Sequence, residues 1–174
     1  ERGALVSWKQ HGVEQLAQPL APYFWKPAND NQKRNAYGRK CAPWRTAADN
    51  RTLTQVAVEE RPGSAVKVTY QLQLPDVSAN LTLTYEVGGS GVAVAMDYRP
   101  TAQTPERMPK FGMHLGLPLS KSLIEWQGRG PQENYCDRKT GSFVGRYQLP
   151  LKQFQVDYIA PQDNANRTDV DWCR

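Results

Sequence analysis

The acidic residues Glu59, Glu60, Glu125, Glu133, Asp137, Asp169 and Asp171 are the ones whose spacing could gather carboxyl groups into one site. Two carboxyls in a site can divide general-acid and general-base work between them. Glu59 and Glu60 are neighbours in a segment that alternates like a strand, so they point to opposite faces and make a poor pair. Glu133 and Asp137 stand beside Arg138, which predicts a structural ion pair rather than a reactive couple. The only histidines are His11, in the N-terminal stretch, and His114, which points opposite Met113 and Leu115. Cys41, Cys136 and Cys173 are far apart, with no CxxC or other zinc spacing. One disulfide fits that count; a full disulfide framework and a metal centre do not.

Two further stretches carry unusual polar chemistry. In "FWKPANDNQKRNAYGRK" (24–40), two large aromatics precede a run of amides and cations. It reads either as a recognition loop presenting Asp30, Asn31, Lys33, Arg34, Asn35 and Tyr37, or as a solvated connection anchored by Phe24 and Trp25 in the core. In "GRGPQENYCDR" (128–138), Gly128, Gly130 and Pro131 suit a sharp turn, tied down by charge-assisted hydrogen bonds from Glu133, Asp137 and Arg138.

The elements that must position these residues are strands. "AVKVTYQLQL" (65–74), "NLTLTYEV" (80–87) and "GVAVAMDY" (91–98) each put apolar side chains on one face and polar ones on the other, the period of antiparallel strands packed on one side. "RPGS" (61–64) and "GGSG" (88–91) supply hairpin turns, and Pro75 ends the second strand. A meander is therefore expected from about 52 to 98. Shorter strands are expected within 111–119, 122–130, 143–151 and 155–161, around a Pro-rich loop at 101–110. No stretch has helical apolar spacing, so any helix should be a short turn. Thirteen Gly, thirteen Pro and 39% hydrophobic residues agree with strands and turns.

The net charge of +5 is scattered, which argues for solvated surface rather than a nucleic-acid footprint. No apolar run approaches a membrane span. The start, "ERGALVSWKQHG", has neither a basic n-region nor an apolar core, so no signal peptide is expected there. Its lack of a methionine suggests a start inside a longer chain, and the extended "NRTDVDWCR" suggests an end inside or just before a strand. Neither feature fixes the compartment; a soluble cytoplasmic or periplasmic protein is expected.

Several segments together resemble one family, the large β-galactosidases of glycoside hydrolase family 2, in their C-terminal small-chain β-domain. "FWKPANDNQ" is similar to an aromatic pair, a basic residue, Pro and then Asp-Asn, with Gln32 where the family has a further Asp. "MPKFGMHLGLP" resembles a Pro-Arg-x-Gly strand with Lys110 for Arg. In "IEWQGRGPQENYCDRKTG", the residues Trp126, Gly128, Gly130, Pro131, Glu133, Tyr135, Asp137 and Arg138 match the pattern Trp-x-Gly-x-Gly-Pro-x-Glu-x-Tyr-x-Asp-Arg. "YIAPQDNANRTDVDW" looks like the next motif, with Asp163, Ala165 and Asp171 for Glu, Gly and Arg. The opening "GALVSWKQHGVEQL" also suits the start of such a domain.

The resemblance covers nearly all of the chain. It implies a single domain over 1–174, an all-β antiparallel sandwich of the galactose mutarotase-like supersandwich type, truncated at its C-terminal end. Retaining glycoside hydrolysis needs two carboxyls about 5 Å apart; the resemblance places both on a (β/α)₈ barrel, so no catalytic residue is expected here. The role implied is to buttress that barrel and lend the 24–40 loop to the rim of the β-galactoside pocket. There, donors and acceptors from Asp30 to Asn35 would meet sugar hydroxyls, and Trp25 or Tyr37 would stack. In the 128–138 segment, Arg129, Gln132 and Asn134 could hold a hydroxyl, but the structural reading of that segment is preferred. No cofactor is expected in this chain; the family's Mg and Na belong to other domains, and a homo-oligomeric parent fits. The competing readings are a mutarotase-like epimerase and an independent carbohydrate-binding module.

Overall fold

In the computed structural model, residues 2–103, 107–118, 120, 122–160 and 162–174 are described. Their elements are β1 (Lys9–Gln10), β2 (Val13–Glu14), β3 (Gln18–Tyr23), α1 (Asp30–Arg34), α2 (Tyr37–Lys40), α3 (Ala42–Ala47), β4 (Thr52–Arg61), β5 (Ala65–Leu74), β6 (Ala79–Gly88), β7 (Gly91–Pro100), β8 (Gly112–Gly116), β9 (Leu123–Gly130), β10 (Phe143–Pro150) and β11 (Trp172–Cys173). The chain is all-β, its sheets antiparallel, as the alternation predicts. It divides into two compact units, 1–27 with 36–116, and 28–35 with 117–174.

The first unit is built on the β4-β5-β6-β7 meander. Its register sets Leu72 opposite Leu81 and Tyr70 opposite Leu83, so one face collects the apolar residues of every strand. Leu72, Leu74, Leu81, Leu83 and Tyr85 on that face are buried. The joints fall where the turn residues require: Gly63 takes φ 75° between β4 and β5, and β5 stops at Leu74 before Pro75.

The N-terminal segment lies on the buried face. Gly3, at φ 74°, leaves little room for a side chain: a Cβ there would sit 3.2 Å from Leu83 Cδ1. The Tyr85 hydroxyl donates to the Gly3 carbonyl at 2.6 Å, and burial pushes this phenol up to about 12. Further along, Glu14 accepts from Ser7 Oγ and from backbone N–H groups of Trp8, Gln15 and Leu16. These bonds hold its carboxyl down to about 2, the Ser7 bond contributing most.

The helices α2 and α3 pack Trp44 against Phe24 and Tyr98, with ring centroids 6.0 Å apart in both pairs. Arg51 is a buried cation held by carbonyls; Nε donates to Arg2 O at 2.8 Å and an Nη to Ala48 O. Strand β3 pairs with β8, and His114 stacks on Tyr23 at 4.8 Å with its ring exposed. All three cysteines are free; Cys41 is buried, and Cys136 and Cys173 are exposed.

The second unit is a three-stranded sheet in the order β10-β9-β11. Its core is Trp126, packed against Tyr147 and Phe154 with both centroid distances 5.5 Å. The expected strand at 155–161 is absent among the described residues; Pro161 lies outside them. Val156 is instead clamped by the Asn164 amide, whose Oδ1 accepts from Val156 N and whose Nδ2 donates to Val156 O at 2.5 Å. Val156, Tyr158 and Ile159 are exposed. With no neighbouring strand to complete its ladder, that segment's β-forming side chains cannot make it a strand.

Candidate functional site

The 28–35 segment folds as one helical turn with its own cap. Asn29 Oδ1 accepts from Gln32 N at 2.9 Å, while Gln32 Oε1 accepts from Asn29 N at 3.1 Å. This reciprocal capping box satisfies two backbone donors that the helix start would otherwise leave open. Gln32, read in the sequence as a missing carboxylate, is therefore the residue that closes the box. Asn29 Nδ2 also donates to Asp163 Oδ2 at 3.2 Å, fixing the turn within its unit. Asn29 did not stand among the expected site residues and Gln32 stood there only as one of the polar groups between Asp30 and Asn35, although the N-x-x-Q spacing announces a cap.

This cap decides what α1 presents. Asn31, Lys33, Arg34 and Asn35 are exposed and Asp30 is half-buried. Asp30 and Arg34 face each other at 3.9 Å, an exposed pair of little energetic weight. Tyr37 belongs to the other unit. It is only 7% exposed, lies 5.2 Å from the Trp25 ring, and its hydroxyl donates to Lys26 O at 2.8 Å.

The 126–138 motif is a structural knot. Trp126 is 1% exposed, and its Nε1 donates to Arg129 O. Gly128 and Gly130 lie within β9 rather than in the turn, which begins at Pro131 after a cis peptide. Their lack of a side chain permits close approach: a Cβ on Gly128 would fall 2.9 Å from Val170 Cα, and one on Gly130 2.8 Å from the Trp126 ring.

Asn134 is fully buried and every polar group it has is used. Oδ1 accepts from Thr168 N at 2.8 Å and Thr168 Oγ1 at 2.6 Å, and Nδ2 donates to Gln132 O. Its backbone exchanges bonds with Asn166, donating to the carbonyl and accepting from Nδ2. Arg129 is likewise committed, to Asp169 Oδ2 at 2.6 Å and to the Ser142 and Lys139 carbonyls.

The expected ion pair of Arg138 with Glu133 or Asp137 is not formed. Arg138 lies over the Tyr135 ring, 4.2 Å from its centroid, and Asp137 is exposed. Glu133 instead accepts from Ala165 N at 2.9 Å and from the Tyr158 hydroxyl. That bond to a carboxylate raises the Tyr158 phenol above its ordinary value.

Three of the remaining candidate acids have structural partners. Glu125 receives Nε of both Arg146 and Arg174, which hold its carboxyl low. Asp169 is held low by Arg129 and Lys139. Glu59 pairs with Arg61 at 3.0 Å and Lys67 at 3.9 Å. Among the described residues no three His, Cys, Asp or Glu gather where a metal could sit. No described helix is long and apolar enough to cross a membrane.

The family model for the β-galactosidase small chain matches residues 1–174. The chain belongs to the β-galactosidase small-chain family. A β-galactosidase of Lactobacillus delbrueckii subsp. bulgaricus is 35% identical over 173 residues, covering 98% of this chain and 17% of that protein. One from Halalkalibacterium halodurans is 32% identical over 172 residues, covering 97% and 17%. One from Priestia megaterium is 30% identical over 172 residues, covering 98% and 16%. The chain thus spans about a sixth of the length of these curated relatives.

Ala165 stands where the resembled motif has Gly, and it adopts φ 64°. A left-handed residue with a Cβ costs about 1 kcal/mol relative to Gly. Ala165→Gly should therefore stabilise the second unit by about 0.5–1 kcal/mol, read as a raised urea midpoint with an unchanged slope. A lowered midpoint would contradict it.

Proposed function

We propose that this small-chain domain is the non-catalytic β-domain of a β-galactosidase-type retaining glycoside hydrolase. It buttresses the catalytic barrel and lends α1 to the rim of the β-galactoside pocket. The observation that carries this reading is the coverage: almost all of this chain matches about a sixth of proteins named β-galactosidase. The acids agree with it. A general acid in glycoside cleavage has a raised pKa, whereas Glu125 and Asp169 are pushed down by their cations. Rigid capping of α1 supports the rim role, because Asn31, Lys33 and Asn35 are displayed on a short, fixed turn.

The test is made in the full-length parent enzyme with nitrophenyl β-galactoside. Asn31→Ala with Lys33→Ala should raise KM about fivefold to thirtyfold, the loss of one or two hydrogen bonds of about 1 kcal/mol each, with Tm unchanged. An unchanged KM would remove the rim role. A wild-type parent that leaves the substrate intact would remove the function itself.

A further inference from the structure

A cleft of about 250 Å³ opens in the second unit, outside the set of residues considered above for the pocket rim. One wall is apolar, made by Pro131, Leu149, Phe154 and Val156. The other residues lining it are polar: Gln132, Gln153, Glu133 and Arg167.

Arg167 is the unusual member. Its guanidinium lies 4.3 Å from the Phe154 centroid and 5.3 Å from that of Trp126, fixed as a flat cation against two rings. Nε is buried without a hydrogen-bond partner, and Nη1 donates only to the Asn166 carbonyl at 3.2 Å. No carboxylate among the described residues forms an ion pair with it. A half-buried guanidinium with unused donors is an unfavourable arrangement unless something supplies acceptors. Glu133, in the same cleft, already accepts from Ala165 N and the Tyr158 hydroxyl, yet each of its oxygens keeps a second lone pair.

The two opposite charges in one small cleft disfavour a ligand that carries charge of one sign only. Arg167 repels a cation and Glu133 repels an anion. A neutral ring bearing hydroxyls satisfies both, accepting from the guanidinium and donating to the carboxylate and amide oxygens. Its C–H face meets the apolar wall. The volume is enough for a single sugar ring. We propose that this cleft is a binding site for a neutral monosaccharide.

The proposal stands independently of α1 and of the parent's activity. It is tested on the purified protein by heteronuclear NMR titration with D-galactose and D-glucose, against D-galacturonate and D-galactosamine as charged controls. Expected are saturable shifts on the Gln132 and Gln153 side-chain amides and the Val156 N–H with a neutral sugar, and weaker binding of both charged analogues. Gln153→Ala, an exposed position that should not disturb folding, and Glu133→Gln should each weaken binding about fivefold. No saturable shift at these positions up to about 100 mM of either neutral sugar, well beyond millimolar affinity, overturns the proposal. So does a charged analogue that binds more tightly, or an affinity that both variants leave unchanged. Shifts confined to α1 would overturn the cleft while leaving the rim reading intact.

Discussion

Trp126→Ala should destabilise the second unit by about 3–5 kcal/mol, close to the whole stability of a small sheet. Trp126 is nearly inaccessible and stands between Tyr147 and Phe154, with the Arg167 guanidinium over its ring. Truncation would remove all of these contacts and leave a cavity that the sheet cannot close, because Tyr147 is held opposite by the β9–β10 register. The Arg129 carbonyl would also lose the indole donor. Urea unfolding read with amide exchange on β9 checks the size and the place: exchange should accelerate across 123–130 and not across the β4–β7 meander. Trp126→Phe keeps most of the ring and should cost less than half as much. A loss below about 1 kcal/mol for the alanine variant would mean that the indole is not the centre of this core.

How far such residues can be read from sequence depends on where their partners lie. The β4–β7 meander was legible because each strand carries its own evidence. Alternation names the buried face, and Gly63, Pro75 and the 88–91 glycines mark the joints. The segment after β10 carries similar apolar residues and was expected to be a strand. A strand also needs a neighbour, and local residues do not encode one. Helix α1 escaped for the opposite reason: a single turn shows no periodicity, and its only sequence signal is the Asn29–Gln32 cap.

The resembled motif was legible as a marker of this fold, but its bonding was not. Adjacency suggested Glu133 or Asp137 with Arg138. The actual partners of Glu133 are Tyr158 and Ala165, 25 and 32 positions further on. Arg129 could be weighed as a sugar contact only until its donors were seen to end on Asp169, Ser142 and Lys139. In both cases a charged side chain is committed to backbone or charge brought from a distant segment.

Asn134 is where this long-range bonding matters most, and Asn134→Ala should cost about 3–5 kcal/mol. The side chain serves three groups: the Thr168 N–H and hydroxyl, which meet Oδ1, and the Gln132 carbonyl, which receives Nδ2. Alanine would leave these without their partner in a place where Asn134 itself has no exposed surface. Each buried group left unpaired costs about 1–3 kcal/mol, and the Thr168 hydroxyl can rotate to recover part of its share. Asn134→Asp separates the two halves of the arrangement. It keeps the acceptor for Thr168 but replaces the donor to Gln132 O with a carboxylate oxygen facing a carbonyl. Its stability should therefore fall as pH rises through the carboxyl's titration, since the protonated acid can still donate. Urea midpoints at two pH values on either side of that titration would show a fall with rising pH in Asn134→Asp relative to Asn134→Ala. Both variants share the opposite dependence that the lowered carboxyls of Glu14, Glu125 and Asp169 supply. Equal pH behaviour in both variants would mean that the Nδ2 bond to Gln132 contributes nothing to holding the 131–134 turn in shape.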